Sequence, residues 1–143
     1  MLDAVSKGAV VTIGGAKAPG LGPNFFQPTV LTGLNHDMEI ARSETFGPVA
    51  ALFQFGSEED VIKMANDSEV GIAGYLYIQD VDKAWRVYNL LDVGMVGVNT
   101  RLISDPATPF GGVKKSGFGK EGSKYGIEDY TVLKMVTFAQ YKF

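Results

Sequence analysis

The chain has 143 residues, 45% hydrophobic and 20% charged, a globular composition at the size of one domain. Its 13 Lys and Arg against 16 Asp and Glu leave a net charge of −3, which argues against a nucleic-acid footprint, and no apolar run approaches the about 20 residues of a membrane helix. Cysteine is absent, which excludes disulfides, thiolate metal sites and thiol catalysis within these residues.

The opening Met1-Leu2-Asp3 has no basic stretch leading into an apolar one, so no secretory signal is visible. Leu2, Val5 and Ala9 have near-helical spacing, but Gly8 interrupts them and no capping residue comes early enough. The segment reads as the tail of a helix whose beginning is missing. Val10-Val11-Thr12-Ile13, closed by Gly14-Gly15, predicts a strand. Residues 14–24, with repeated Gly and Pro, predict a turn-rich loop. Gln27 to Leu31 predicts a second short strand, which Pro28 confines to an edge or first position.

Val49 to Phe55 predicts an apolar strand. Ser57 then stands as the N-cap of a helix with Glu58, Glu59 and Asp60 in its first turn, where the helix dipole favours negative charge. Val61, Ile62, Met64 and Ala65 supply its buried face. Ile72 to Ile78 reads as strand. Asp80 caps a second helix whose Val81, Ala84, Trp85, Tyr88 and Leu91 follow helical spacing, with Gly94 as the closing glycine. Met95 to Val98 is a further strand. The alternation predicts an α/β fold, a mostly parallel sheet with helices and right-handed crossovers.

Residues 101–143 carry seven basic and four acidic side chains, a local +3 against −6 for the first hundred. Pro109-Phe110-Gly111-Gly112 opens a glycine-rich loop that runs to Gly122, followed by a short turn or helix near 121–126. From Tyr130 to Phe143 the residues read as strand, an exposed edge unless something pairs with it.

Few local motifs carry chemistry. Gly117-Phe118-Gly119-Lys120-Glu121-Gly122 matches G-x-G-x-x-G, but Lys114-Lys115-Ser116 before it is no buried strand, so it reads as a structural loop. His36, the single histidine, lies between Asn35 and Asp37 and reads as a solvated loop residue, and no metal site is expected. Glu44, just before Gly47-Pro48 turns the chain into a strand, is either a surface carboxylate or an acceptor for two hydroxyl groups. Ser104 and Thr108 precede the glycine-rich loop, and from spacing alone they are ordinary loop hydroxyls that could donate to an anion.

Two stretches together resemble the aldehyde dehydrogenase superfamily: Glu44-Thr45-Phe46-Gly47-Pro48-Val49, and Pro109-Phe110-Gly111-Gly112-Val113-Lys114 with Ser116-Gly117 and Glu121. Asn24-Phe25-Phe26-Gln27-Pro28-Thr29, Ala65-Asn66-Asp67 and Gly94-Met95-Val96-Gly97-Val98-Asn99 fit in order between them. Leu102-Ile103-Ser104 and Glu121 through Glu128 are similar to the succinate-semialdehyde dehydrogenase branch. The resemblance covers essentially the whole chain and implies the C-terminal portion of a catalytic domain of this type, residues 1–126, followed by an oligomerisation strand arm, residues 127–143.

The resemblance implies an oxidoreductase that converts succinate semialdehyde or a similar aldehyde to the acid with NAD or NADP. Such chemistry needs a cysteine nucleophile and a glutamate base, and in the family both lie upstream of the matched region, as does the cofactor domain. No catalytic residue is therefore expected here. By resemblance Glu44 bonds the nicotinamide ribose hydroxyls, Phe46 packs near the nicotinamide, Phe110 lines the substrate tunnel, and Ser104 stands near the substrate carboxylate. Arg101 departs from the glycine frequent in relatives, which bears on the tunnel mouth. The partners implied are a small aldehyde and further copies of the chain, joined through the arm, in the cytoplasm or the mitochondrion. The alternative is a catalytically inactive short module that docks onto full-length dehydrogenase subunits.

Overall fold

The β-branched run Val10–Ile13 forms strand β1. Its antiparallel partner β2 (Thr29–Leu34) starts directly after Pro28, whose nitrogen has no proton to give to a ladder. The second strand thus begins two residues later than the pattern predicts and runs three further. The structure, a computed structural model, describes residues 1–140; the last three positions of the expected arm, Tyr141, Lys142 and Phe143, lie outside the described residues. The chain divides into two compact units, Met1–Val61 and Ile62–Phe143.

In the first unit a short helix, α1 (Leu2–Ser6), precedes a three-stranded sheet of order β1-β2-β3, in which β3 (Val49–Phe53) runs parallel to β2. Gly33, at φ +69°, sits where the β2–β3 register slips, and the slip turns Leu34 to the same side as Leu31. Leu31, Leu34 and Met38 then form the buried core with Ala4 and Ala9. Thr29 is buried as well, and its hydroxyl is fully engaged: it accepts from Gly15 N–H and donates to the Gln27 carbonyl, both at 2.8 Å. His36 is half-buried with its ring 5.9 Å from that of Phe53, so it packs at the sheet end instead of standing in solvent.

Helix α2 (Glu58–Asn66) starts where its cap predicts, with Ser57 Oγ accepting from Asp60 N–H at 3.1 Å. Its apolar face is only half-buried at Val61, Ile62 and Met64, and Ala65 is exposed.

In the second unit β5 (Ala73–Leu76) and β6 (Met95–Val98) pair in parallel, joined by helix α3 (Val81–Leu90). This is the strand–helix–strand crossover expected. A separate antiparallel pair joins β4 (Val70–Gly71) to β7 (Val113–Lys114) inside the glycine-rich stretch. The described fold is mixed α/β, with its parallel pairing confined to β2–β3 and β5–β6.

Asp80 caps α3 as predicted, its carboxylate accepting from Lys83 N–H at 3.0 Å. The buried stripe, however, is Val87 flanked by half-buried Ala84, Tyr88 and Leu91; Val81 is exposed and Trp85 is 66% exposed, with its ring edge-on to Tyr88. Gly94 is not the helix stop. The helix ends at Leu90, and Gly94 is small because a Cβ there would strike the Gly111 carbonyl and stand 2.7 Å from Gly112 Cα.

Polar ties hold this unit. Asn66 donates to the Leu90 carbonyl (2.7 Å) and accepts from Asp92 N–H (2.8 Å), binding the ends of α2 and α3 together. The Lys114 ammonium meets the Asn66 and Ser68 carbonyls and the Asp92 carboxylate, each at 3.0 Å. Ser116 Oγ accepts from Gly71 N–H at 2.9 Å. Asn99 closes the β5–β6 pair: its side chain accepts from Ile78 N–H (2.8 Å) and donates to the Ile78 carbonyl (2.7 Å).

The strand expected from Tyr130 onward does not form. Residues Gly126–Tyr130 make a 3-10 helix, and residues 131–140 have no ladder among the described residues. A strand needs an edge to pair with, and none is offered here. Val132, Leu133, Met135 and Phe138 all stand exposed. Among the described residues no helix is long and apolar enough to cross a membrane.

Candidate functional site

The first unit presents Glu44 and Phe46 on the loop that enters β3. Its base is a 3-10 turn, Glu39–Ala41, next to the buried Met38, and Ser43 N–H donates to the Glu39 carbonyl at 2.9 Å. At the far end Thr29 N–H donates to the Pro48 carbonyl at 2.8 Å, which ties the loop to the start of β2. Between these anchors Glu44 is exposed, and Phe46 is 94% exposed. A phenylalanine so placed leaves nearly its whole ring in water, a cost that a flat ligand ring or a covering surface removes. The carboxylate has free lone pairs for hydroxyl donors.

Ser104 and Phe110 belong to the second unit and line two different hollows. Ser104 opens onto a hollow of about 460 Å3 along β6, with Gly97, Thr100, Ile103 and Thr108 in its wall. Thr100 spends its hydroxyl on the Leu102 backbone, and Thr108 donates to the Asp105 carbonyl at 3.0 Å. The Ser104 hydroxyl has no hydrogen-bond partner among the described residues, which leaves it available to an anion. Of the two loop hydroxyls before the glycine-rich stretch, Thr108 is thus engaged with its own backbone, and Ser104 is the one left open to the hollow.

Phe110 faces a hollow of about 500 Å3 whose wall includes Ile72, Gly112, Ser116, Lys120, Asp129 and Tyr130. Its backbone exchanges both hydrogen bonds with Glu121, at 2.8 and 2.7 Å. The G-x-G-x-x-G stretch forms the other side of this bridge, and among the described residues a short 3-10 helix, not an α-helix, follows it, in keeping with a structural loop. Lys120 and Asp129 escape the sequence reading because their partners lie eight and nine residues away across an irregular loop, a spacing that matches no helix or strand period; the closely spaced Gly117 and Gly119 are the one local signal. Among the described residues no group of three His, Asp or Glu stands together as a metal ion would require.

The pattern of the Aldehyde dehydrogenase family matches residues 1–136. The chain is 56% identical over 135 residues to succinate-semialdehyde dehydrogenase [NADP(+)] 1 of Schizosaccharomyces pombe, covering 94% of this chain and 27% of that protein. It is 55% identical over 136 residues to the mitochondrial succinate-semialdehyde dehydrogenase of Homo sapiens, covering 95% of this chain and 25% of that protein. The crystal structure of succinate-semialdehyde dehydrogenase from Burkholderia pseudomallei superposes with a TM-score of 0.90 at 56% identity, over 93% of this chain and 27% of that one. The chain therefore spans about a quarter of the length of these relatives. With a family pattern running through nearly all its length and a matching fold, this chain belongs to the aldehyde dehydrogenase family.

Proposed function

We propose that these residues serve an NAD- or NADP-dependent dehydrogenase that oxidises succinate semialdehyde or a similar aldehyde to the carboxylic acid. The observation that carries the reading is the identity of 55–56% to relatives that bear that name, spread over more than nine-tenths of the chain. The exposed Glu44 carboxylate and Phe46 ring are compatible with the ribose and nicotinamide of a dinucleotide. When bound, that dinucleotide supplies the hydride acceptor. The chain has no cysteine, so the nucleophile is not among these residues; by the resemblance the glutamate base lies upstream as well, and the part left to this chain is to bind and orient.

In this reading Glu44 accepts from the ribose hydroxyls and Phe46 packs beside the nicotinamide. Phe110 lines the path of the aldehyde, and Ser104 donates to the carboxylate at its far end. Residues 1–126 are then the catalytic-domain portion, and residues 127–143 are an arm that pairs with a neighbouring subunit. The exposed apolar residues of 131–140 support the arm, because pairing would cover them. The docking-module alternative draws no support from the comparisons.

The test is a chimera in which residues 1–143 replace the matching segment of the B. pseudomallei enzyme. The chimera is expected to oxidise succinate semialdehyde, whereas the 143-residue chain alone gives no turnover. Glu44→Gln in the chimera is expected to raise the KM for the dinucleotide by about tenfold, the worth of one charge-assisted hydrogen bond, with the aldehyde KM nearly unchanged. A folded chimera that binds dinucleotide and oxidises no aldehyde would sink the reading.

A further inference from the structure

Residues 117–122 have no role in the contacts proposed above, yet the geometry around them converges on one side chain, that of Asp129. Asp129 Oδ2 accepts from Lys120 N–H at 2.7 Å. Gly119, at φ +80°, makes the approach feasible, because a Cβ there would stand 2.7 Å from that same oxygen. Lys120 carries the contact onward: its ammonium donates to the Gly112 carbonyl at 3.1 Å, and its Cδ lies 2.8 Å from where a Cβ on Gly111 would be. Glu121, the next residue, is joined to Phe110 by the pair of backbone bonds at 2.8 and 2.7 Å.

A carboxylate in the 3-10 helix is thus linked through two consecutive residues to both ends of the Phe110-Gly111-Gly112 segment. A carboxylate acceptor makes a bond roughly twice as strong as a neutral one, and the glycines on either side leave no bulk to hold the loop otherwise. We propose that Asp129 is a positioning residue, which fixes the Phe110-Gly111-Gly112 segment through Lys120 and thereby sets the width of the hollow that Phe110 lines. The positioning follows from these bonds alone; its consequence for aldehyde binding rests on the reading of Phe110 given under the proposed function.

Amide hydrogen exchange of the 143-residue chain, read by NMR, tests the first half. Asp129→Ala is expected to speed exchange at Phe110, Lys120 and Glu121 by about tenfold or more, as loss of a bond to a charged acceptor predicts. Exchange in β2 and β6 is expected to stay unchanged. Asp129→Asn keeps an acceptor oxygen without the charge and is expected to restore part of the protection, with exchange between that of the wild type and that of Asp129→Ala. Acceleration confined to Lys120, or spread evenly over the chain, would overturn the proposal. In the chimera, Asp129→Ala is expected to raise the KM for succinate semialdehyde several-fold and leave that for the dinucleotide alone; an unchanged aldehyde KM would overturn the second half. A parent chimera inactive on every aldehyde counts against the proposed function, and the exchange data then decide the positioning role by themselves.

Discussion

At Asn99 a side-chain amide stands in for a peptide group. The residue sits at φ +54°, a conformation asparagine tolerates better than most, and its amide completes with Ile78 the rung that the turning backbone no longer supplies. Two substitutions separate these contributions. Asn99→Gly loses both side-chain bonds but keeps the backbone at ease, a cost of about 1–2 kcal/mol. Asn99→Ala adds left-handed strain of about 1 kcal/mol. The urea midpoint is thus expected to fall in the order wild type, Asn99→Gly, Asn99→Ala; equal midpoints for the two variants would remove strain from the account. Gly94 makes the complementary point by its lack of a side chain. Gly94→Ala drives a methyl group into the Gly111 carbonyl and is expected to destabilise by about 1–3 kcal/mol, seen in the same titration.

Among the elements, those set by local chemistry were legible in the sequence. Ser57 and Asp80 cap their helices as read, since a cap and its N–H partner lie three residues apart. The face of α3 was not legible: spacing allows the stripe through Trp85 as well as the one through Val87, and only the packing of the second unit chooses. The place of Gly94 is hidden for a similar reason: its spacing suits a helix stop, while the neighbours that require a glycine, Gly111 and Gly112, are remote in sequence. Glu44, Phe46, Ser104 and Phe110 stood out through family motifs rather than through any local chemical pattern. The ties made by Asn66 and Lys114 bridge distant segments, and that of Asp129 crosses an irregular loop nine residues back, so none leaves a periodic trace.

Three carboxylates at element ends also set an acid response. Lys7 and the Glu39 N–H hold the Asp3 carboxyl below its ordinary range; Lys115 does so for Glu69, and the Lys83 N–H for Asp80. A lowered pKa in the folded state means stabilisation that is present above the unfolded value and lost as pH falls through the folded one. The urea midpoint is therefore expected to hold near neutrality and to decline below about pH 5. Asp80→Asn should flatten part of that decline; an unaltered acid profile would argue that Asp80 contributes nothing to it.

Across the whole molecule the two units are built differently. Ala4, Ala9, Leu31, Leu34 and Met38 are buried in the first, whereas Val87 is the buried apolar side chain of the second among the described residues, apart from glycine. In urea, residues 62–140 are expected to lose exchange protection before residues 1–61 do. A single coincident transition for both would contradict this. The second unit relies instead on amides, hydroxyls, an ammonium and carboxylates, and that choice of material has a thermal consequence. Uncovering apolar surface raises the heat capacity of a protein and uncovering polar surface lowers it. Opening this unit should therefore absorb less heat capacity per residue than the about 12–15 cal/mol/K of an ordinary domain. Its stability curve against temperature would then be shallow, declining gently on warming and keeping most of its value in the cold.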